Sequence, residues 1–165
     1  MLIQTCALQL FADYFQFYLL DDNDGLISAA KIWTREGSER KLAAGPGIIA
    51  IGTARNMNVP VIIKVQSDES LEEFEKWDKV NECSLTVNSG KIVVMGATDY
   101  YDDAARINVQ PGTYRVRIHY GSLESISENG LDGDDHYELI LWPDAEERPI
   151  KVLKYTLLKV VFRIL

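Results

Sequence analysis

The chain has 165 residues, 47% apolar and 25% charged, with 25 acidic against 17 basic side chains and a net charge of −8. That length builds a core without disulfide or metal staples, and that composition excludes extensive disorder. All of the acids lie in residues 1–150, where only 13 basic residues oppose them, so this part sums to −12. A body this acidic repels a phosphate backbone, which excludes direct nucleic-acid binding as the expected role, and is drawn to basic protein surfaces at low salt.

The first twenty residues are apolar but have no basic leader and carry Asp13. They read as strand and not as a signal segment. No run reaches the eighteen or so apolar residues of a membrane span. Cys6 and Cys83 sit far apart in strand-like runs without a CxxC pair, which predicts buried free thiols and a reducing, cytoplasmic setting. Between Asp13 and Asp21, Phe15, Phe17 and Leu19 alternate with Tyr14, Gln16 and Tyr18, predicting one long aromatic strand. Leu26 to Arg40 reads as one or two short helical turns with Asp24 as a cap. Gly45-Pro46-Gly47 is a turn, and the apolar Ile48 to Ala54 predicts a strand covered on both faces.

Val59 to Gln66 is a β-branched strand that tolerates Pro60 at its start. Ser67 to Asn81 is rich in acids and has two readings. Leu71, Phe74, Trp77 and Val80 make a stripe on a short helix behind a Ser70/Glu73 capping box, or the segment is an irregular crossover. Ser84 to Met95 predicts a hairpin turning at Asn88-Ser89-Gly90. Ala105 to Tyr120 predicts a second antiparallel pair broken at Pro111-Gly112. Tyr114, Val116, Ile118 and Tyr120 face the core, while Arg115, Arg117 and His119 face away, with His119 on the surface. Gly121 to Asp135 is a long acidic loop, and Tyr137, Leu139 and Leu141 mark another strand.

About eight strands with long crossovers predict a mainly β fold, an antiparallel β-sandwich with short helical crossovers, over residues 1–150. Residues 151–165 form a basic apolar tail packed on it as a terminal strand or helix. A basic amphipathic membrane helix is the competing reading of that tail.

Catalytic and cofactor signatures are missing from the sequence. The acids Asp21, Asp22 and Asp24 before Gly25 fail the EF-hand pattern, which would need ligands at Leu20 and Lys31. Asp132, Asp134 and Asp135 beside His136 read as a solvated loop ahead of a cation site. Neither histidine has a GxSxG or Cys-His context, and GPGIIAIG lacks the P-loop lysine. No catalytic residue, metal or cofactor is therefore assigned, and the chain is expected not to be an enzyme. Asp99, Tyr100, Tyr101, Asp102 and Asp103 combine carboxylates with rigid rings and suit a contact surface.

In residues 33–56, WTREGSERKLAAGPGIIAIGTARN, the spacing of Trp33-Thr34, Ala43-Ala44, Gly47, Ile48 and Arg55-Asn56 resembles the competence J family, which includes the inhibitor of a DNA-entry nuclease. The aromatic run FADYFQFYLL and PGTYRVRIHY extend the resemblance to about two-thirds of the chain. It implies an intracellular, non-enzymatic protein that binds and inhibits a partner nuclease, and a nuclease that grips DNA offers a basic groove to carboxylate-rich loops. The expected contacts are then Asp21, Asp22, Asp24, Asp99, Tyr100, Tyr101, Asp102, Asp103, Glu128, Asp132, Asp134 and Asp135. Trp33, Arg55 and Asn56 carry the resemblance and also have a structural reading, in which Trp33 closes one end of the sandwich and Arg55 pairs a crossover carboxylate. A ligand-binding sandwich holding calcium or a carbohydrate is the alternative.

Overall fold

Alternation of apolar and polar residues along most of the chain produces strands, and the computed structural model describes residues 1–23, 29–71 and 73–156. Among them, eleven strands form two packed sheets. One sheet contains β1 (Leu2–Phe11), β5 (Asn58–Gln66), β6 (Lys79–Val87), β9 (Gly112–Gly121), β10 (His136–Pro143) and β11 (Lys151–Tyr155). Its order is β1-β5-β10-β9-β6-β11. The other contains β2 (Gln16–Asp21), β3 (Leu42–Gly45), β4 (Ile48–Gly52), β7 (Lys91–Gly96) and β8 (Ala105–Asn108), in the order β3-β4-β2-β7-β8. Their inner faces enclose one continuous core that includes Phe17, Ile51, Ile63, Leu85, Ile92, Val116 and Leu139.

The fold is the expected mainly β sandwich, with three local differences. All pairs are antiparallel except β10 with β5, which run parallel because a long excursion through four strands, β6 to β9, separates them. The two expected hairpins do not form. β6 pairs with β9 in one sheet while β7 pairs with β2 and β8 in the other, so the chain changes sheets at Asn88–Gly90. The reason is the Asp21 carboxylate, which accepts hydrogen bonds from Asn88 N at 3.0 Å, Ser89 N at 3.1 Å and Ser89 Oγ at 2.6 Å and holds the corner open. β8 and β9 likewise belong to different sheets. Alternation only requires that both strands face one core, and a corner between sheets meets that requirement as well as a hairpin.

The long aromatic strand begins later than expected. Tyr14 and Phe15 take left-handed conformations, at φ 57° and 60°, and break β2 from β1. β4 is buried along its whole length, with Leu20, Ala29, Val93 and Met95 forming a second cluster with Ile48. Helix α1 (Arg35–Arg40) is capped by the Thr34 side chain, which accepts from Gly37 N. The expected cap Asp24 lies outside the described residues.

Residues 67–71 and 73–78 cross the outer face of the larger sheet irregularly. Leu71 is 94% exposed, so no helical stripe forms. This crossover buries what the alternation placed on an outer face. His119 is fully buried instead of lying on the surface, its ring near Trp77 and Phe74 and its Nδ1 3.0 Å from the Glu138 carbonyl. Glu82 receives Arg115 Nε at 3.0 Å and Arg117 Nε at 2.8 Å. The two arginines then donate outward, Arg117 to the Ser70 carbonyl and Arg115 to those of Arg148 and Pro149. A buried charge network thus fastens two connecting segments to the sheet. β11 pairs with β6 at the sheet edge, and residues 157–165 lie outside the described residues.

Candidate functional site at the aromatic end

At the start of β2 the chain holds two consecutive aromatic residues in a backbone region that costs L-residues roughly 1–2 kcal/mol each. Local bonds enforce it. Phe15 N donates to the Ala12 carbonyl at 3.0 Å, Tyr14 N to Asp13 Oδ1 at 3.1 Å, and Thr53 N to the Phe15 carbonyl at 2.9 Å. The result is exposure of both rings, Tyr14 at 69% and Phe15 at 47%. Gln16 sits behind them and its Oε1 accepts from Trp33 Nε1 at 2.8 Å and from the Tyr18 hydroxyl at 2.9 Å. Trp33, half-buried, forms one wall of an open cleft of about 260 Å³ that is also lined by Tyr14, Phe15, Gln16, Ser38, Lys41 and Thr53. Burial lowers the Lys41 amine below the ordinary lysine value, with the Asp135 carboxylate opposing the shift.

Beside the cleft, Arg55 Nε approaches Asp135 Oδ1 to 2.8 Å as an ion pair, not an aligned hydrogen bond. Asp135 Oδ2 accepts from the Tyr137 hydroxyl at 2.6 Å, and that hydroxyl accepts from Ala54 N at 2.8 Å. Burial first, and then the Asp135 bond and charge, push the Tyr137 phenol far up. Arg55 therefore has the partner that a structural role requires. Asn56 N donates to the Gly130 carbonyl at 3.0 Å, which ties the 122–135 loop to this end. An added Cβ at Gly130 would lie 3.9 Å from the Phe15 ring. The loop tip thus stands against the exposed aromatic pair.

The expected contact residues divide into groups. Glu128, Asp132 and Asp134 are exposed on this loop, and no ion pair to them is found among the described residues. Asp135 is fully buried and turned toward Arg55 and Tyr137, so it diverges from Asp134 and cannot serve as a surface contact. Asp21 is also buried, at the sheet-changing corner. Asp22 lies with the 99–103 group, accepting from the Tyr101 hydroxyl and from Arg106 Nε at 3.1 Å. The Tyr101 bond, followed by Arg106, holds the Asp22 carboxyl below its usual range against the opposing effect of burial. Asp99 accepts from Gly96 N at 2.7 Å, and Asp102 from the Tyr100 hydroxyl at 2.9 Å. Tyr100 and Asp103 are exposed. Asp22, with Tyr101 and Arg106, stands at the far end of β2 from Gln16, roughly a strand length of 17–20 Å away, whereas Asp99 sits beside Gly96, opposite Phe17 near the start of β2. Asp24 is outside the described residues.

Among the described residues, no three His, Cys, Asp or Glu side chains group to hold a metal ion, and no helix is long and apolar enough to cross a membrane. Sequence reasoning placed Tyr14 and Phe15 inside a strand and passed over Gln16 and Lys41. The one signal available was Asp13, a short acceptor directly before the pair.

The fold and this end define a two-sheet β-sandwich that displays an aromatic cleft, with the tip of the acidic 122–135 loop against Phe15. In fold it is similar to ComJ of Bacillus subtilis, an inhibitor of the DNA-degrading activity of NucA, at a TM-score of 0.62 and 18% identity over 87% of this chain and 98% of ComJ. It is also similar to the crocagin biosynthetic gene J protein, at a TM-score of 0.57 and 17% identity over 86% and 97% of the two chains. No family model matches the sequence, and no curated protein matches it significantly. At these identities the likeness is one of fold, and it is the fold that the competence J resemblance implied.

Proposed function

We propose that this chain is a non-enzymatic binding module that docks on a basic protein, of the nuclease kind, through its aromatic end. The observation that carries this reading is the pairing of two strained, exposed rings, Tyr14 and Phe15, with the unpaired carboxylates of the 128–134 loop beside them. Backbone strain of this sort persists where the surroundings over-determine it, and such positions concentrate at ligand contacts. Rigid rings supply buried area at low entropy cost. The carboxylates supply long-range attraction to a surface that itself grips DNA, and so speed encounter at low salt. The fold likeness to ComJ supports a nuclease as the kind of partner. The acidic body, with a net charge of −8, supports a basic one.

The test is DNA cleavage by the basic nuclease of the same source, titrated with this protein. Inhibition that fades between about 50 and 500 mM salt agrees with electrostatic docking. Unchanged cleavage at low salt with excess protein removes the inhibitor reading. The same cleft also suits a second reading, because Trp33 with Gln16, Ser38 and Thr53 offers a stacking wall and hydroxyl or amide partners to a sugar ring. Melting temperatures that do not move with simple sugars, calcium or chelator dismiss that alternative.

A further inference from the structure

We infer that β1 is a self-association edge, through which a second copy of this chain adds its own β1 antiparallel to form a continuous sheet across a two-fold axis. Among the described residues, four strands end the two sheets: β1, β11, β3 and β8. Proteins blunt such edges with charge, shortness or bulges, because unpaired N–H and C=O groups recruit other strands. Three of the four are blunted in this way. β11 carries Lys151 and Lys154 and a register shift, β3 has four residues before a Gly-Pro-Gly turn, and β8 has four residues including Arg106. β1 runs for ten residues, LIQTCALQLF, with no charge, proline or glycine. Its one irregularity lies at Leu2/Gln4, and the register is unbroken from Gln4 to Phe11.

The register identifies the free groups. Ala12 N donates to the Met57 carbonyl, continuing the β1–β5 ladder, so the alternation puts Leu10, Leu8, Cys6 and Gln4 in the hydrogen-bonded pairs with β5. Thr5, Ala7 and Gln9 therefore turn their backbone groups outward, and their side chains are exposed as well, while the Phe11 carbonyl is covered by Gly96 of β7. With Ala7 on the two-fold axis, Thr5 faces Gln9 of the second copy and the smallest side chain sits where the two chains meet. Each hydrogen-bonding position finds a matching one, as an isologous contact demands.

Charge selects the occupant. Two bodies of net −8 repel wherever their acidic loops meet, and β1 is a neutral edge along which they can approach. A basic partner gains nothing from this strand, whereas a second copy loses nothing there. Antiparallel pairing joins two six-stranded sheets and points the two Tyr14–Phe15 ends in opposite directions, so the dimer presents both docking ends free. Edge pairing alone buries little area, so association at micromolar concentrations is expected.

Sedimentation equilibrium of the full chain from 5 to 200 µM, at 0.1 and 0.5 M salt, tests the inference. The expected result is a monomer–dimer equilibrium strengthened by salt, with amide exchange at Thr5, Ala7 and Gln9 slowing as concentration rises. Ala7→Lys and, independently, Gln9→Lys return the monomer, while Val152→Lys on β11 leaves the dimer intact. A monomer under all conditions overturns the inference, as does a dimer that survives both β1 lysines or is lost in the β11 variant. Protection of the three amides only after a nuclease is added also overturns it, because the edge then belongs to that partner.

Discussion

The outer face of the larger sheet and the 122–135 loop are both rich in charge, yet their charges do opposite things. On the sheet, Glu82 is 4% exposed and is gripped by two arginines that are themselves buried, so its charge serves to fasten connecting segments. On the loop, Glu128, Asp132 and Asp134 face water and form no ion pair among the described residues. The difference is not in the residue type. It comes from whether a distant segment crosses overhead, as residues 67–71 and 73–78 do for the sheet and nothing among the described residues does for the loop tip. Carboxylate counts therefore say little about binding until each one's partner is known.

The sharpest way to break this contrast is Glu82→Gln, which strands two buried guanidinium groups and should cost about 3–5 kcal/mol in urea unfolding. A loss below about 1 kcal/mol would mean that water reaches the network. Asp135→Asn removes the Arg55 ion pair and weakens the Tyr137 bond, and about 2 kcal/mol of destabilisation is expected from the same measurement. An effect confined to partner binding would instead return Asp135 to the contact surface.

Cys83 sharpens the comparison through pH. Burial raises its thiol from 9.0 to about 12. Because the folded value lies above the unfolded one, the corresponding stability is fully present below pH 9 and is lost as pH rises toward 12. Between pH 9 and 10 the loss is about 1 kcal/mol, and it should be smaller in Cys83→Ala by the same denaturation series. An identical slope in the variant would assign the alkaline loss to the buried tyrosines alone.

Tyr14→Gly separates stability from docking. It relieves a left-handed side chain and should stabilise the fold by about 1 kcal/mol, while weakening partner binding at least several-fold by titration. Lower stability would show that the ring supports the fold, contrary to its exposure. The smallest effect on stability, within about 0.5 kcal/mol, is expected of the combined Glu128→Gln, Asp132→Asn and Asp134→Asn variant. Its signature is kinetic, a slower association with the nuclease at low salt and a flatter salt dependence by stopped flow. Unaltered association rates would move the contact to the Asp22 and 99–103 patch.

Much of the architecture was legible in local pattern. Phe17 and Leu19, Ile48 to Gly52, Val59 to Gln66, and Tyr114 to Tyr120 all became strands with the expected faces inward, since side-chain alternation is a property of a few consecutive residues. The candidate site was legible only in part. Trp33, Arg55 and Asn56 do gather at one end with the acidic loop, but the exposed Tyr14–Phe15 pair was hidden inside an alternation that suited a strand equally well. Little local to Asp21 or Asp135 announces that they are buried, because Asn88 and Ser89, which Asp21 meets, and Arg55, which Asp135 pairs, lie 67 or more residues away, and only Tyr137 is a near neighbour of Asp135.

The amino-acid order alone determined that this chain is a β-rich sandwich with an acidic body, because strand period and net charge are sums over neighbours and composition. The tertiary structure alone decided which sheet each strand joins, which carboxylates are held inside and which of the described strands end the sheets. Those outcomes depend on long-range pairings, where a single buried carboxylate turns an apparent hairpin into a corner and a covering crossover turns a polar face into a buried one.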